Sequence, residues 1–412
     1  MQEKEEEKKL AEDDHRRLGA ELDLFVFSDS VGKGLPLWTP KGSVIRRVLE
    51  RFIVNEEIRR GYQHVYTPDI AKLDLYKKSG HYPYYKDSMY APIIIDEEEF
   101  MLRPMTCPHH FELYLSKPHS YRELPIRFAE LAKLYRYELS GVITGLTRTR
   151  SFCLSDAHII CANPEQAKTE IEQALSLILF VTEKLGLKSG EDFWYRLSLG
   201  NREDSKKYYQ DDKAWNEAEA ILREVLKGQA VPFTEAKDEA AFYGPKIDIQ
   251  MKDARGKEDT AFTVQYDFVA PKRFGLTYIN SEGQTAETIV VHRSSIGSIE
   301  RIVAFLIEKH KGAFPVWLAP VQVAVIPIGE AHHPYSQKVF AELKQADIRS
   351  EINLDNETLG KKIRSAKLQK IPYLIIIGDK EVSANALTVE TRDGEKLENI
   401  SVPDLVKKIG NI

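Results

Sequence analysis

The stretch "YRYELSG", Tyr135–Gly141, followed closely by "GLTRTRSF", Gly145–Phe152, packs arginines, a glutamate and an aromatic ring into one short region. On an extended strand, residues two apart share a face. Arg136 and Glu138 then point the same way. A guanidinium there can hold a phosphate while the carboxylate accepts a hydrogen bond from a base amino group. Arg148 is a second phosphate candidate, and Phe152 offers a ring on which a purine can stack. The plainer alternative is a hairpin with a salt bridge across its strands. A third arginine signal is "GSIER", Gly297–Arg301, at the start of a helix. Its plain reading is an ordinary helix start with an internal ion pair. Its functional reading aims Arg301 at a polyphosphate. The chain has no glycine-rich phosphate loop, neither G-x-G-x-x-G nor G-x-x-x-x-G-K. A bound nucleotide would therefore be held by arginines and not by a backbone nest.

Working outward, 412 residues imply two or three domains. Hydrophobic residues make up 42% and charged residues 29%, the balance of a globular protein with a sizeable core. No apolar run is long enough to span a membrane, and the start, "MQEKEEEKKLAEDDHRRLG", lacks the apolar segment of a secretory signal. Three cysteines make no disulfide framework, so a reducing cytoplasm is the expected setting. A net charge of −5 gives no global footprint for nucleic acid, so any RNA contact must use local basic patches.

Residues 1–12 read as a charged linker. Apolar residues at Val44, Ile45, Val48, Leu49, Phe52 and Ile53 predict a helix over 42–60, followed by an extended segment ending at Pro68. Further helices are expected over 164–185 and within 294–312. "FPVWLAP", Phe314–Pro320, marks a domain boundary. Beyond it, strands alternate with helices in a small parallel or mixed sheet.

"MLRPMTCPHHFELY", Met101–Tyr114, sets Cys107 three residues before His110. A free cysteine is usually a packed hydrophobe. Cys107 and His110 look like half of a zinc finger, but no second pair follows. His158 in "SDAHIIC" and His292 in "IVVHRSS" sit in apolar segments, where a lone histidine is ordinarily a core residue. A cysteine and two histidines from three distant segments would leave one tetrahedral position open, as a catalytic zinc requires. Both readings stand on the residues alone.

Together these motifs resemble the class II aminoacyl-tRNA synthetases, and among them the threonyl-tRNA synthetases. The helix from Gly42 with the segment ending at Pro68 resembles motif 1, "YRYELSG…GLTRTRSF" motif 2 and "GSIER" motif 3. The blocks "SGHYPYYKDSMY", "RPMTCPHH", "SDAHIIC", "AFYGPKID", "TVQYDF", "VVHRSSIGSIER" and "GDKEV" match the threonyl members in order. The resemblance implies an α/β chain. Residues 13–313 would be an α+β catalytic domain, an antiparallel class II sheet flanked by helices. Residues 314–412 would be a small mixed-sheet α/β anticodon-binding domain. It implies a threonine–tRNA ligase that uses ATP and Mg²⁺, binds L-threonine and tRNA(Thr), and dimerises through motif 1.

By the same resemblance, Cys107, His158 and His292 bind one Zn²⁺ per subunit. Arg136, Glu138, Arg148, Phe152 and Arg301 bind ATP, and Asp156, Tyr243 and Gln265 bind threonine. Lys246 lies near the carboxylate and α-phosphate. His81 is the general base of transfer, a role suited to a group whose free pKa is near working pH. Glu381 and Arg392 meet the anticodon, with Lys361, Lys362 and Arg364 as possible phosphate contacts.

The chain departs from the family pattern in places. Leu154 stands for a glutamine that approaches the substrate amino group, and Ser155 for an aspartate. Asp259-Thr260 replaces a Trp-Gln pair, and Glu390 replaces an anticodon-contacting arginine. Nothing before Asp13 is expected to fold as the family's N-terminal or editing domain, so the expectation is either a truncated form or a naturally short enzyme, one that makes seryl-tRNA without clearing it. The competing reading is an inactive paralogue that regulates by binding RNA. The intact arginines and the Cys/His/His set argue against it.

Overall fold

The computed structural model describes residues 10–410, with the Tyr84 side chain excepted. Most of the expected linker, residues 1–9, lies outside the described residues. No described helix is long and apolar enough to cross a membrane. The chain forms two compact units. One comprises Phe27–Leu35 and Glu50–Ala304, and the other the residues up to Val26, Pro36–Leu49 and the residues from Phe305 onward.

The larger unit is built on an eight-stranded sheet. In chain order its strands are β1 (Gln63–His64), β2 (Ile126–Tyr135), β3 (Ser151–Cys161), β4 (Phe193–Leu199), β5 (Phe233–Lys237), β6 (Lys246–Lys252), β7 (Glu258–Asp267) and β8 (Ile289–Ser294). Their spatial order is β5-β4-β6-β7-β8-β3-β2-β1. The six inner strands run antiparallel, while the short edges β1 and β5 join in parallel.

Period-two alternation decides what each strand shows to which side. In β3, Cys153, Ser155, Ala157, Ile159 and Cys161 are buried on one side. Phe152, Leu154, Asp156 and His158 face a cleft on the other. A long helix, α1 (Pro164–Lys184), packs on β3, β7 and β8. Asn163 caps it by accepting from the Gln166 amide at 2.8 Å, and Pro164 supplies the preset first turn. Ala167, Ile171, Ala174, Leu175, Ile178 and Val181 recur at helical spacing and are buried. Each large side chain fully buried in this way contributes roughly 1.5–3 kcal/mol of apolar transfer free energy.

The helix expected from Gly42 spans Pro40–Arg59. Near its end Glu57, 1% exposed, accepts from Arg293 Nη1 at 2.5 Å, from Ser155 and Ser295 Oγ at 3.1 Å each, and pairs with His64 Nε2 at 2.8 Å. The Arg293 guanidinium lies 4.1 Å over the Tyr62 ring. Burial pushes the Glu57 carboxyl up, but Arg293 and His64 outweigh it and hold the group below the usual carboxylate range. Glu57→Gln leaves Arg293 buried without its counter-charge. The expected cost is about 3–5 kcal/mol in urea unfolding at neutral pH, since removing one partner of a buried pair exposes the other's desolvation penalty. A loss under ~1 kcal/mol would contradict that account.

The other unit contains a five-stranded sheet of β9 (Val323–Pro327), β10 (Ser350–Ile352), β11 (Tyr373–Ile377), β12 (Leu387–Thr391) and β13 (Lys396–Ile400), in the order β10-β9-β11-β12-β13. The first three strands in that order run parallel and the last two antiparallel, a mixed sheet as the alternating pattern predicts. Val323, Val325, Ile375, Ile377, Leu387 and Val389 form the centre of its core, closed by Val339, Leu343, Leu405 and Ile409 from two helices.

Candidate active-site cleft

The cleft-facing residues of β3, β6, β7 and β8 line a cavity of about 270 Å³. Its walls include Arg136, Glu138, Arg148, Phe152, Leu154, Asp156, Tyr243, Lys246, Thr260, Gln265 and Arg301, with Cys107, His158 and His292 at one part of the wall. The structure thus brings most of the sequence-derived candidates into one space.

Two close backbone approaches shape it. Gly297 has φ +68°, and a Cβ there would lie 2.1 Å from the Ala261 carbonyl oxygen. Only glycine combines that conformation with that contact, and the turn delivers the helix Ile299–His310 that carries Arg301. Gly244, between Tyr243 and Lys246, lies against Tyr266 so closely that a Cβ would be 1.8 Å from its carbonyl oxygen.

The arginine end differs from the strand reading. The strand β2 stops at Tyr135, so Arg136 and Glu138 lie beyond it in irregular backbone. The Arg136 amide donates to Arg150 O, and the Tyr137 amide turns away to Ser88 O. Both side chains still reach the cleft. The Arg136 guanidinium sits 5.1 Å from the centre of the Phe152 ring. Glu138 accepts from Arg148 Nε at 2.9 Å, so the cross-hairpin pair and the cleft lining coexist. Arg301 donates through Nε to Thr147 O at 3.0 Å and through Nη1 to Thr260 O at 2.6 Å. Burial, and then the repulsion of Arg136 and Arg148, pull its pKa down against the opposing pull of Asp259. Three guanidiniums crowding one wall make a site suited to a polyanion.

The opposite end gathers donor atoms. Cys107 Sγ and ring nitrogens of His158 and His292 all lie within 4.8 Å of one another, and all three residues are buried. The reason is topological. His158 and His292 are directly paired across β3 and β8, so their rings meet at 4.6 Å. Cys107 opens the helix Cys107–Leu115, whose amide dipole favours a thiolate there.

His292 Nε2 lies 2.8 Å from Asp267 Oδ2. Asp267 also accepts the Val269 and Ala270 amides at 2.8 Å each, which fixes the carboxylate. Nε2 therefore donates, which leaves Nδ1 of the neutral ring to ligate. Burial pushes the Cys107 thiol up, with Asp156 and Asp267 adding to it, and holds His158 well below its ordinary value. Soft and borderline donors flanked by carboxylates fit a Zn²⁺ with an open position.

Between the two ends, Tyr243 donates to Gln265 Oε1 at 2.5 Å, and its ring stacks on His292 at 5.0 Å. Burial pushes the Asp156 carboxyl up, opposed by His110 and His292.

Sequence reasoning passed over Asp248. It is fully buried and accepts from Lys246 Nζ at 2.8 Å, Arg196 Nη2 at 3.1 Å, Ser198 Oγ at 2.7 Å and Thr263 Oγ1 at 3.2 Å. The signal was present, since Lys246 and Asp248 are two apart on one strand and share a face.

Other candidates are placed elsewhere. His81 is buried beside Cys107, in a narrow space lined also by Phe111, Phe242 and Tyr243. Its Nδ1 is 2.7 Å from Ser79 Oγ and its Nε2 is 4.0 Å from Cys107 Sγ. Burial, then His292, depresses its pKa to about 3. Leu154 and Thr260 line the cleft, but Ser155 faces the other side of the sheet and bonds Glu57. In the other unit, Glu381 accepts from the Gly378 amide at 2.9 Å and from Thr388 Oγ1 at 2.6 Å. Arg392 donates to the carbonyls of Lys370 and Phe314 at 3.0 Å each, and Glu390 pairs with Lys367 at 2.6 Å. Lys362 points inward, toward the Pro327 and Asn353 carbonyls, and is 3% exposed, so it offers no surface phosphate contact.

Residues 90–310 match the family model described as the tRNA synthetase class II core domain (G, H, P, S and T), and residues 322–412 match an anticodon binding domain. A threonine–tRNA ligase of Geobacillus sp. (strain WCH70) is 50% identical over 396 residues, which is 96% of this chain and 61% of that protein. The threonine–tRNA ligase of Geobacillus kaustophilus (strain HTA426) is 51% identical over 386 residues, 93% of this chain and 58% of that protein. The chain thus spans about three fifths of the length of these relatives. A crystal structure described as the RNA binding domain of threonyl-tRNA synthetase from Cryptosporidium parvum Iowa II superposes with a TM-score of 0.90 at 36% identity, covering 96% of this chain and 98% of that one.

Proposed function

Since the chain belongs to the class II aminoacyl-tRNA synthetases, grouped with the threonyl members, we propose that it activates L-threonine with ATP and transfers it to tRNA(Thr). The observation that carries this reading is the convergence of Cys107, His158 and His292 at one end of a cleft whose other end is lined by Arg136, Arg148 and Arg301.

The arginine end receives ATP with its Mg²⁺. Arg136 holds the α-phosphate and stabilises charge developing there during adenylation. Phe152 stacks on adenine, Glu138 accepts from its amino group, and Arg148 and Arg301 hold the distal phosphate. Substrate phosphates would replace Glu138 as the partner of Arg148. At the other end Cys107, His158 and His292 would hold Zn²⁺. Bound there, it would supply a Lewis-acid site that threonine could chelate through its amino group and hydroxyl together, a chelate that valine, lacking the hydroxyl, could not complete. Asp156 faces the same space and accepts from the hydroxyl, while Tyr243 and Gln265 orient the amino group. Leu154 supplies no polar contact, so amino-group recognition rests on those neighbours. His81, the proposed base of transfer, lies beside the Cys107 thiol, where burial and then His292, Arg273 and Arg136 lower its pKa. An effect of His81→Ala on transfer alone, with adenylation intact, would support that role.

The same reading divides the chain into a catalytic domain over 13–313 and an anticodon-binding domain over 314–412, with Glu381 and Arg392 toward the anticodon. It also takes the protein as a cytoplasmic homodimer joined through motif 1. The direct test is amino-acid-dependent ATP–pyrophosphate exchange over all twenty amino acids, with and without a zinc chelator. Exchange that depends on threonine and is lost with the metal supports the proposal. Binding of tRNA with no exchange would favour the inactive-paralogue reading.

Asp248 enters as the anchor of Lys246. Asp248→Asn is expected to lower kcat/KM for exchange on the order of 10²-fold, because a catalytic cation displaced by about 1 Å loses that much. Steady-state kinetics with a parallel thermal melt check it. A pure stability loss with unchanged kinetics would remove Asp248 from the site.

A further inference from the structure

His110 is the half of the Cys107-x-x-His110 pair that the ligand trio leaves aside, yet it is fully buried against one of the ligands. Its Nδ1 lies 2.8 Å from His158 Nδ1, and the two rings meet edge to face at 4.8 Å. On the far side His110 Nε2 lies 3.3 Å from Glu130 Oε2. Glu130 is itself fixed, accepting from Thr67 Oγ1 at 2.7 Å and Arg103 Nη2 at 3.0 Å. Glu130 and Arg103 are 3% and 2% exposed. Burying such a chain costs more desolvation than an apolar filling of similar volume would, so stability alone explains it poorly.

We propose that His110, oriented by Glu130, is a positioning residue for the metal site, setting the tautomer of His158. The inference rests on the zinc reading given above. Two nitrogens 2.8 Å apart can share only one proton. A carboxylate accepts, so Glu130 draws the His110 proton to Nε2. His110 Nδ1 then presents a lone pair, and His158 Nδ1 must donate to it. The proton of His158 is thereby held on Nδ1, and Nε2 keeps the lone pair for an ion shared with Cys107 and His292. Asp267 acts at His292 in the same way through the opposite nitrogen. Both imidazoles would thus have their ligating nitrogen assigned before any ion arrives. The helix opened by Cys107 supplies a ligand at its first residue and, one turn later, the group that aims the next ligand.

The test is zinc affinity of the full chain, measured by competition with a chromophoric chelator. The wild-type chain is expected to bind one equivalent. His110→Ala should weaken binding by roughly 10- to 100-fold, the usual cost of losing a partner behind a ligand. His110→Asn, whose amide oxygen can accept near the Nδ1 position, should stay close to wild type. Equal affinity for His110→Ala and wild type would overturn the proposal, and so would equal weakening of the two variants. A wild-type chain that takes up no zinc would instead overturn the zinc reading, and this inference with it. Urea unfolding of the metal-free forms separates lost affinity from lost fold. Should the alanine variant not fold, the ¹⁵N-histidine spectrum of the zinc-loaded wild type decides. Protonation of His110 at Nε2 supports the assignment, and protonation at Nδ1 overturns it.

Discussion

Cys107→Ala is expected to abolish stoichiometric zinc uptake and to lower threonine-dependent pyrophosphate exchange on the order of 10⁴-fold, with the fold retained. The size follows from what the site is asked to read. A pocket of apolar shape separates threonine from an isosteric amino acid by little, whereas a site built around the hydroxyl rejects the analogue lacking it by about 10⁴–10⁵-fold. With zinc bound, the cysteine would be the one anionic ligand of the trio, and alanine removes both that charge and one of three donors. Two neutral imidazoles remain, too few to keep a structured zinc site. The residue is small, 4% exposed and packed beside Phe111 and Ile160, so the truncation leaves a minor cavity and a modest stability loss. Metal analysis, exchange with threonine and valine, and a thermal melt together check it. Zinc retained at full stoichiometry with exchange intact would remove Cys107 from the ligand set and leave threonine selection without its basis.

That this trio is a trio at all is the part least legible locally. Nothing in "PMTCPHH" says that Cys107 meets a histidine about fifty residues on and another nearly two hundred on. The meeting depends on β3 and β8 being neighbours, although α1, β4–β7 and further helices come between them in the chain. Only the ordered resemblance to a family carried that information. Period-two alternation, by contrast, was readable. Once β3 is a strand, Phe152, Leu154, Asp156 and His158 must share a face, and Ser155 must leave it. Read that way, the Ser155 departure concerns the buried bonds to Glu57 and not the pocket.

The strand assumption failed at Arg136 and Glu138, because the strand ends at Tyr135 and, after one further bond to Arg150, the Tyr137 amide leaves the ladder for Ser88. Side-chain reach alone keeps both in the cleft. Asp248 and Glu57 went unread for a common reason. A carboxylate in a mixed sequence looks solvated until the fold shows which cations converge on it. In the smaller unit the sequence pattern predicted the mixed sheet, but not that Arg392 would be committed to two backbone carbonyls and Glu381 to closing the turn at Gly378.

Arg136 should show the second large effect, and one distinct in kind from Cys107. Arg136→Ala is expected to lower kcat for pyrophosphate exchange on the order of 10²–10³-fold, the usual loss when one preorganised donor to developing charge is removed. Zinc stoichiometry should not change, because Arg136 is not among the donor atoms. Arg136→Lys should recover only part of the loss. The guanidinium lies 5.1 Å from the centre of the Phe152 ring, and its Nε donates to the Pro104 carbonyl at 3.4 Å. A planar fork can stack on that ring, keep the carbonyl and still direct donors at a phosphate, whereas an ammonium is a point charge that must give up at least one of these. Burial lowers the Arg136 pKa, opposed by Glu138 and then by Tyr85, Asp156 and Tyr243, so a phosphate arriving there meets a buried cation whose attraction water screens weakly. The effect should therefore fall on kcat more than on the KM for threonine, whose donors cluster at the other end of the cleft. Steady-state exchange at varied ATP and threonine separates the two. A variant with unchanged kcat and a raised threonine KM would place Arg136 on the amino acid and reverse the orientation of ATP in the cleft.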